Sequence, residues 1–596
     1  MHISHVSIRN YRNFKQLDIS LANKAVIMGE NSVGKTNFLR ALRLILDPTL
    51  PDSARHLTED DFWDGLDSPI SNHKTIEIAI LIEGFEGNPK LMALLSDYVV
   101  SPKKPHQAKI TYKFKPVAGS VPGEDAEYEF NIYGGLNEEN TFGHYQRKFM
   151  PLQILPALRD AEGDLKYWNR SPLRPLIESL ALTHKELIPV ATGIDSAQKE
   201  LGKLAGVQEL SERIGTRLKQ IVGELHSISP SLGVASTETT HLLRSLKLYV
   251  DGINKRSVGE ASLGLCNLIY LVLLSLELER KELAGERATT ILAIEEPEAH
   301  LHPHLQRLVF KDFFDKKTTI ILTTHSPNIV SIAPIKSYAI LRDSNGGTKG
   351  YSSAQSELSE YELNDLARYM DTNRGELLFS RGIIFVEGAA EEYLTTPFAK
   401  WRGIDLDQKG ISVCSINGTH FEPYIKLVSE KNLNIPYVVI TDGDPVDNNR
   451  KTINAGLSRG INIVNKALGE DTKHLEAQYE RGYLKEVRVK LQDYNIFVGI
   501  HTLEIDLCKN AQDEMYKALE SLGAGTTTLK RFEERIADTS LDGLPSYDNR
   551  AYILNRIEDY GKGLFAQRLA SILDDDYSPE YFDLAIDRID DLVTPN

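Results

Sequence analysis

The eight residues Gly29 to Thr36 read GENSVGKT, directly after the apolar run AVIM and directly before NFLRALRLIL. The run suits a buried strand, and the apolar residues that follow recur at helical spacing. A G-x-x-x-x-G-K-T segment between a strand and a helix predicts a loop whose N–H groups turn inward at a helix N-terminus. Such a loop cradles phosphate oxygens. Lys35 would reach the outer phosphates, and the Thr36 hydroxyl would ligate Mg²⁺. Asn31, Gly34, Lys35 and Thr36 are therefore the expected contacts to a nucleotide, with ATP as the ligand.

A phosphate loop needs carboxylates opposite it. In TTILAIEEPEAHLHP an apolar strand ends in Glu295 and Glu296. Glu295 suits Mg²⁺ coordination, and Glu296 suits orienting or deprotonating the attacking water. TTIILTTHSPNI is a further strand ending at His325, placed to sense the outermost phosphate. His300, His302 and His304 have no acidic or sulfur partner at zinc spacing, so they are expected to serve loop structure and contacts across a subunit boundary.

The chain has 596 residues, too many for one core. Alternating segments from about Thr75 to Tyr133 predict antiparallel strands. Helical periodicity takes over from about Asp160 to His226, and strand signals resume at LKLYVDG. A new α/β series starts near Leu377. The expected layout is a nucleotide-binding domain in two segments, 1–155 and 241–376, a helical and dimerising insert at 156–240, and a second domain at 377–596.

Composition excludes some classes. The longest apolar stretch, Leu268 to Leu278, contains Glu277 and is too short to span a bilayer. No leader pattern opens the chain. The three cysteines show no CxxC pair, which argues against zinc and against a disulfide framework. A cytoplasmic protein without membrane attachment is expected. The net charge of −16 weakens a nucleic-acid partner without removing it, because such binding follows local patches.

The last third carries a second pattern. GIIFVEGAAEEYLTTPF places Glu387 where an apolar strand ends and Glu391 one turn into a helix. IPYVVITDGDP ends in Asp442 and Asp444, and NIFVGIHTLEIDL reads as a later strand carrying Glu504 and Asp506. Ligands collect at the carboxyl ends of strands in an open parallel sheet. Clustered carboxylates repel one another unless cations bind, and hard oxygen donors suit Mg²⁺ or Mn²⁺. Two such ions about 4 Å apart can stabilise the attacking and departing oxygens of phosphodiester cleavage.

Two resemblances follow from these residues. VSIRNYRNF, the phosphate loop, EEPEAHLHP and TTHSP resemble the SMC/RecF-like branch of ABC ATPases. That resemblance implies a signature segment, matched by EASLGLCNLIYL with Ser262 and Gly264 facing phosphate, although Leu263 interrupts the usual S-G-G. It also implies paired heads, hence a homodimer or a higher homo-oligomer. E-G-x-x-E followed by D-G-D resembles a Toprim domain. Together the two halves resemble the OLD (overcoming lysogenization defect) nucleases, which include the nuclease subunit of the Gabija anti-phage system. The expected fold is α/β multidomain: an ABC-type ATPase with a helical insert, then a Rossmann-like Toprim domain.

The family implies Glu387, Glu391, Asp442, Asp444 and Glu504 as the metal set for two Mg²⁺ or Mn²⁺ ions, with Asp506 able to replace Glu504. It places a lysine near the C-terminus, here Lys562. Glu296, His325, Glu387 and Lys562 are then the expected catalytic residues. The implied activity is ATP-regulated DNA endonuclease action in anti-phage defence, with DNA as partner and an encoded defence protein or nucleic acid as a further one. An alternative is a DNA-clamping or signalling ATPase whose Toprim domain binds without cutting.

Overall fold

A computed structural model describes the chain except residues 223–242 and short stretches at 102, 124–125, 158–159, 181, 245, 252–255, 259–260, 285–287, 371, 449–450, 541–542 and 595–596. The C-terminal part of the expected helical insert, with its boundary at 240, lies outside the described residues.

Two sheets build the N-terminal unit. The first is antiparallel, with Phe14–Ser20, His2–Tyr11, Ile76–Glu83, Gln107–Pro116 and Val99–Ser101 in that order, and Tyr128–Gly134 also on Gln107–Pro116. The second runs Lys349–Ser352, Tyr338–Arg342, Lys24–Met28, Thr319–Thr323, Ile291–Glu295, Leu152–Leu155. Its pairings are parallel except at Lys349–Ser352. Strands from both sides of the helical block thus share one sheet. Helix Lys35–Leu46 buries Phe38, Leu39, Leu42 and Ile45 in a core to which both sheets contribute. The block between them contains helices Ala161–Lys166, Leu173–Glu178, His184–Gly202 and Ala205–Val222.

The C-terminal unit holds a four-stranded parallel sheet in the order Ile411–Ser415, Gly382–Val386, Tyr437–Thr441, Ile496–Val498. GIIFV, YVVIT and IFV are buried at every position, as strands covered on both faces must be. Val26, Ile294 and Leu322 of the N-terminal sheet belong to the same apolar cluster as Ile383, Phe385 and Val439 of this one. One core therefore runs through both units. Among the described residues no helix is long and apolar enough to cross a membrane.

The sequence pattern misplaces one element. The strand expected to carry Glu504 and Asp506 ends at Val498, and both acids lie on the short helix Leu503–Leu507. Asp506 accepts the N–H groups of Ile500 and His501 at 2.9 and 3.0 Å, and this turns the chain out of the sheet.

Candidate active sites at two sheet edges

The first site lies where Lys24–Met28 meets helix Lys35–Leu46. Gly29 has φ 153° and Gly34 φ 96°, and Ser32 between them is also left-handed. A Cβ on Gly29 would lie 2.5 Å from the Leu341 carbonyl, so only glycine lets the loop pass that strand. The buried Lys35 ammonium donates to the carbonyls of Gly29 and Glu30, both at 2.9 Å. Burial lowers its pKa, against the pull of Glu296 and Glu298. Asn31 and Thr36 are exposed. Thr36 and Glu295 line one cleft of about 500 Å³.

Glu295 ends its strand, and burial raises its pKa. Glu296 follows in a left-handed conformation at φ 41°, and its N–H donates to Thr323 at 2.9 Å. That bend brings its carboxylate within 3.9 Å of His325 Nε2. Burial lowers the His325 pKa, and Lys35 adds to the effect. Glu298, which the sequence reading left unassigned, fixes this corner. It accepts the His325 N–H at 2.7 Å and the Thr324 hydroxyl at 2.9 Å. Burial raises its pKa.

The segments around Gly264 and His300 meet in the fold. Ser262 precedes helix Leu263–Leu283, and a Cβ on Gly264 would meet the His300 carbonyl at 2.4 Å. Leu263 and Leu265 stand exposed beside it. His302 caps helix Pro303–Asp315 by accepting the His304 N–H at 3.3 Å.

The second site collects at the carboxyl ends of the C-terminal sheet. Glu387 follows Gly382–Val386 and accepts the Asp442 N–H at 2.9 Å and the Thr441 hydroxyl. Asp442 follows Tyr437–Thr441 and accepts the Leu503 N–H at 3.0 Å. That bond draws in the helix that carries Glu504. A Cβ on Gly443 would lie 2.5 Å from the carbonyls of Gly499 and Ile500. The glycine of D-G-D therefore lets the two turns close on each other. Glu391 accepts the Gly388 N–H at 3.0 Å, so it caps its own helix as well as facing the pocket.

The acids act on one another. Burial drives the Asp442 pKa well above the ordinary aspartate range, and Glu391, Glu387, Glu504 and Asp444 all push it further. Burial raises Glu391 to about 7, with Glu504 and Glu387 contributing. Asp444, left-handed at φ 44°, is raised by burial and by Glu387. The buried Oε2 of Glu504 has no hydrogen-bond partner. Among the described residues no three of His, Cys, Asp or Glu close to ligand distance around one point. Arg459 occupies part of that space. Its Nη1 donates to Glu387 and, at 2.5 Å, to Thr441 Oγ1, while Nη2 reaches Asp444 at 2.8 Å.

Lys562 stands at the rim, 3.6 Å from Glu504 and 3.7 Å from Glu558. Burial works against its charge, but Glu504, Glu558 and Asp442 together raise its pKa. Asp506 is occupied in its turn with Ile500 and His501, so Glu504 is the acid that enters the cluster. An all-oxygen donor set in which Glu391, Asp442 and Asp444 have raised pKa values and Glu504 has an orphaned buried oxygen fits a hard divalent cation. Arg459 and Glu298 were not anticipated. Arg459 sits in a segment with no motif, whereas Glu298 was visible in EEPE and lacked only a reason to be chosen.

Comparison with known proteins agrees with both halves. An AAA ATPase domain model matches residues 1–83 and 95–330. The TOPRIM domain model of overcoming lysogenization defect protein-like sequences matches residues 378–444. The chain is 23% identical over 569 residues to an OLD nuclease of Thermus scotoductus, covering 90% of this chain and 98% of that protein. It is 23% identical over 559 residues to the endonuclease GajA of Bacillus cereus, covering 87% and 90%. The solved C-terminal region of the Burkholderia pseudomallei OLD protein is 37% identical, with 36% of this chain and all of that one covered and a TM-score of 0.31. The chain belongs to the overcoming lysogenization defect family, in which an AAA-type ATPase domain is joined to a TOPRIM nuclease domain.

Proposed function

We propose that this protein is a divalent-metal-dependent DNA endonuclease governed by ATP. The observation that carries the reading is Asp442, which four other carboxylates face at the carboxyl ends of a parallel sheet. Glu387, Glu391, Asp442, Asp444 and Glu504 would hold Mg²⁺ or Mn²⁺, two ions on the family pattern. Bound ions of this kind stabilise the attacking and departing oxygens of a phosphodiester. Arg459 keeps Glu387 and Asp444 aimed into the pocket. Lys562 offers its charge to the scissile phosphate from a rim position that is 40% exposed.

At the other site Thr36 and Glu295 would hold Mg²⁺ on ATP, while Lys35 turns to the outer phosphates. Glu296 orients the attacking water with His325 beside it. Ser262 and Gly264, flanked by exposed leucines, would cover the nucleotide of a second copy, giving a homodimer or larger assembly. A role in anti-phage defence, with an encoded partner, follows the family resemblance.

The test is cleavage of supercoiled and linear DNA with Mg²⁺ or Mn²⁺, in the absence of nucleotide, with ATP, and with a non-hydrolysable analogue. Nicked or linear product under at least one condition is expected, together with its loss in EDTA. Protein that hydrolyses ATP and retains DNA, yet leaves it intact throughout, would instead be a DNA-clamping ATPase.

A further inference from the structure

The phosphate loop is bonded directly to the sheet that carries the acid pocket. Glu30, the second residue of the loop, accepts two hydrogen bonds from one guanidinium edge of Arg381, from Nε at 2.6 Å and Nη2 at 3.0 Å. Arg381 immediately precedes Gly382–Val386, the strand that ends at Glu387. Arg342, at the end of the strand beside the loop, donates to the Ser380 carbonyl at 2.7 Å. Thus residues 380 and 381 are gripped by one carboxylate and one guanidinium from the ATPase side.

A second contact reaches the same segment from the other nucleotide-facing corner. The Phe379 ring stacks against His325, with centroids 6.5 Å apart. Just upstream, a Cβ on Gly375 would lie 2.9 Å from the Pro327 carbonyl, so this stretch is seated on the TTHSP turn. Residues 375–381 therefore touch both the loop that would bind the phosphates and the histidine that would sense the last of them.

We propose that Glu30–Arg381 is the mechanical link by which nucleotide binding alters the acid pocket. Lys35 donates to the Glu30 carbonyl, and a nucleotide's phosphate is a stronger acceptor for that ammonium than a peptide oxygen. As Lys35 turns to phosphate, the Glu30 peptide loses a bond and the loop re-forms around the ligand. The Glu30 side chain moves with its backbone, and Arg381 must follow or lose two charge-assisted hydrogen bonds. Strand Gly382–Val386 is buried along its length, so it has little room to absorb that movement internally. The displacement is delivered at its far end, where Glu387 holds Thr441, Asp442 and Arg459. This coupling rests on the nuclease reading for its biological output, while its physical content is independent of cleavage.

The test compares wild type, Arg381→Glu, Arg381→Gln and the charge swap Glu30→Arg/Arg381→Glu. Two readouts are followed: DNA cleavage with and without ATP, and hydrogen exchange at residues 382–386 with and without a non-hydrolysable analogue. In wild type, nucleotide should change cleavage by about fivefold or more and should shift exchange in that strand. Both Arg381 variants should keep nucleotide-free cleavage within about twofold of wild type and lose the response to ATP in both readouts. The charge swap should restore at least part of the response. The link is overturned if Arg381→Gln responds to nucleotide as wild type does, or if wild-type exchange at 382–386 is indifferent to nucleotide. A swap no better than Arg381→Glu also overturns it. Wild-type protein that shifts its exchange yet cuts nothing would sink the nuclease reading and leave the link standing.

Discussion

At the phosphate loop a single ammonium is held by backbone carbonyls, whereas in the acid pocket five carboxylates are held against one another. Lys35 has two good acceptors and a glycine-shaped loop around it, so its charge is solvated by the fold itself. Asp442 has the opposite surroundings: Glu391, Glu387, Glu504 and Asp444 all raise its pKa, while the Arg459 guanidinium serves Glu387 and Asp444. At one site the buried charge is met by the loop's own carbonyls. The other stores electrostatic repulsion that a bound cation would relieve, which is how function and stability come to oppose each other.

The sharpest way to break this contrast is Asp442→Asn, which keeps the acceptor for Leu503 and removes one charge. Cleavage should fall about 10³-fold, a loss of roughly 4 kcal/mol of transition-state stabilisation. In EDTA the same variant should melt about 1 °C higher, on the order of 1 kcal/mol of relieved repulsion. ATP hydrolysis without DNA should stay within about twofold. A lower melting temperature in EDTA would mean that the acids are not in conflict. Lys35→Met is the counterpart at the loop. ATP turnover should drop about 10²-fold, while nucleotide-free cleavage persists near the wild-type rate. Steady-state hydrolysis and plasmid nicking read the two separately.

Arg459 sharpens the comparison, because it is the acid pocket's own cation. Its guanidinium is largely shielded, and its fork spans residues that leave two different strands. Arg459→Met should lower the melting temperature in EDTA by an amount corresponding to about 1–3 kcal/mol, since two carboxylates lose a charged donor. Mg²⁺ should recover more of that loss in the variant than it adds to wild type. Cleavage should fall about 10- to 100-fold, as when a partner that orients a metal ligand is removed. Melting curves with and without Mg²⁺ decide it: equal shifts in both proteins would show that Arg459 does not share the cation's place.

What could be read in the sequence follows the same division. GENSVGKT was legible because its function is local: glycine freedom, a helix start and a lysine all fall within eight residues. Glu387 and Asp442 were legible because each closes an unbroken apolar run, and a buried strand has to end where its first acid stands. Glu504 could not be separated from Asp506 by pattern. Both sit on one helical turn, and only the N–H groups of Ile500 and His501 show which of them is occupied in the fold. Arg459 was invisible for a similar reason. It lies fifteen residues past Asp444 on helix Ala455–Ile463, and its partners come from elsewhere in the sheet. Tertiary pairing of this kind leaves no periodic trace.

Glu298 offers the smallest and most discriminating effect. It touches neither the phosphate loop's N–H groups nor the cleft shared by Thr36 and Glu295, yet both of its oxygens are used to hold the TTHSP turn. Glu298→Gln keeps the shape but turns one acceptor into a donor that faces an N–H or a hydroxyl. The hydroxyl of Thr324 can rotate to accept, so the turn should survive with one weakened bond. His325 would then be set less firmly beside Glu296. The expected result is a three- to tenfold fall in kcat for ATP hydrolysis with KM for ATP nearly unchanged, because the contact positions a group for chemistry and not for binding. A rise in KM with kcat intact would instead assign Glu298 to shaping the nucleotide pocket. In that case the loop would depend on tertiary support in the way the acid pocket does, and the contrast between the two sites would narrow to one of degree.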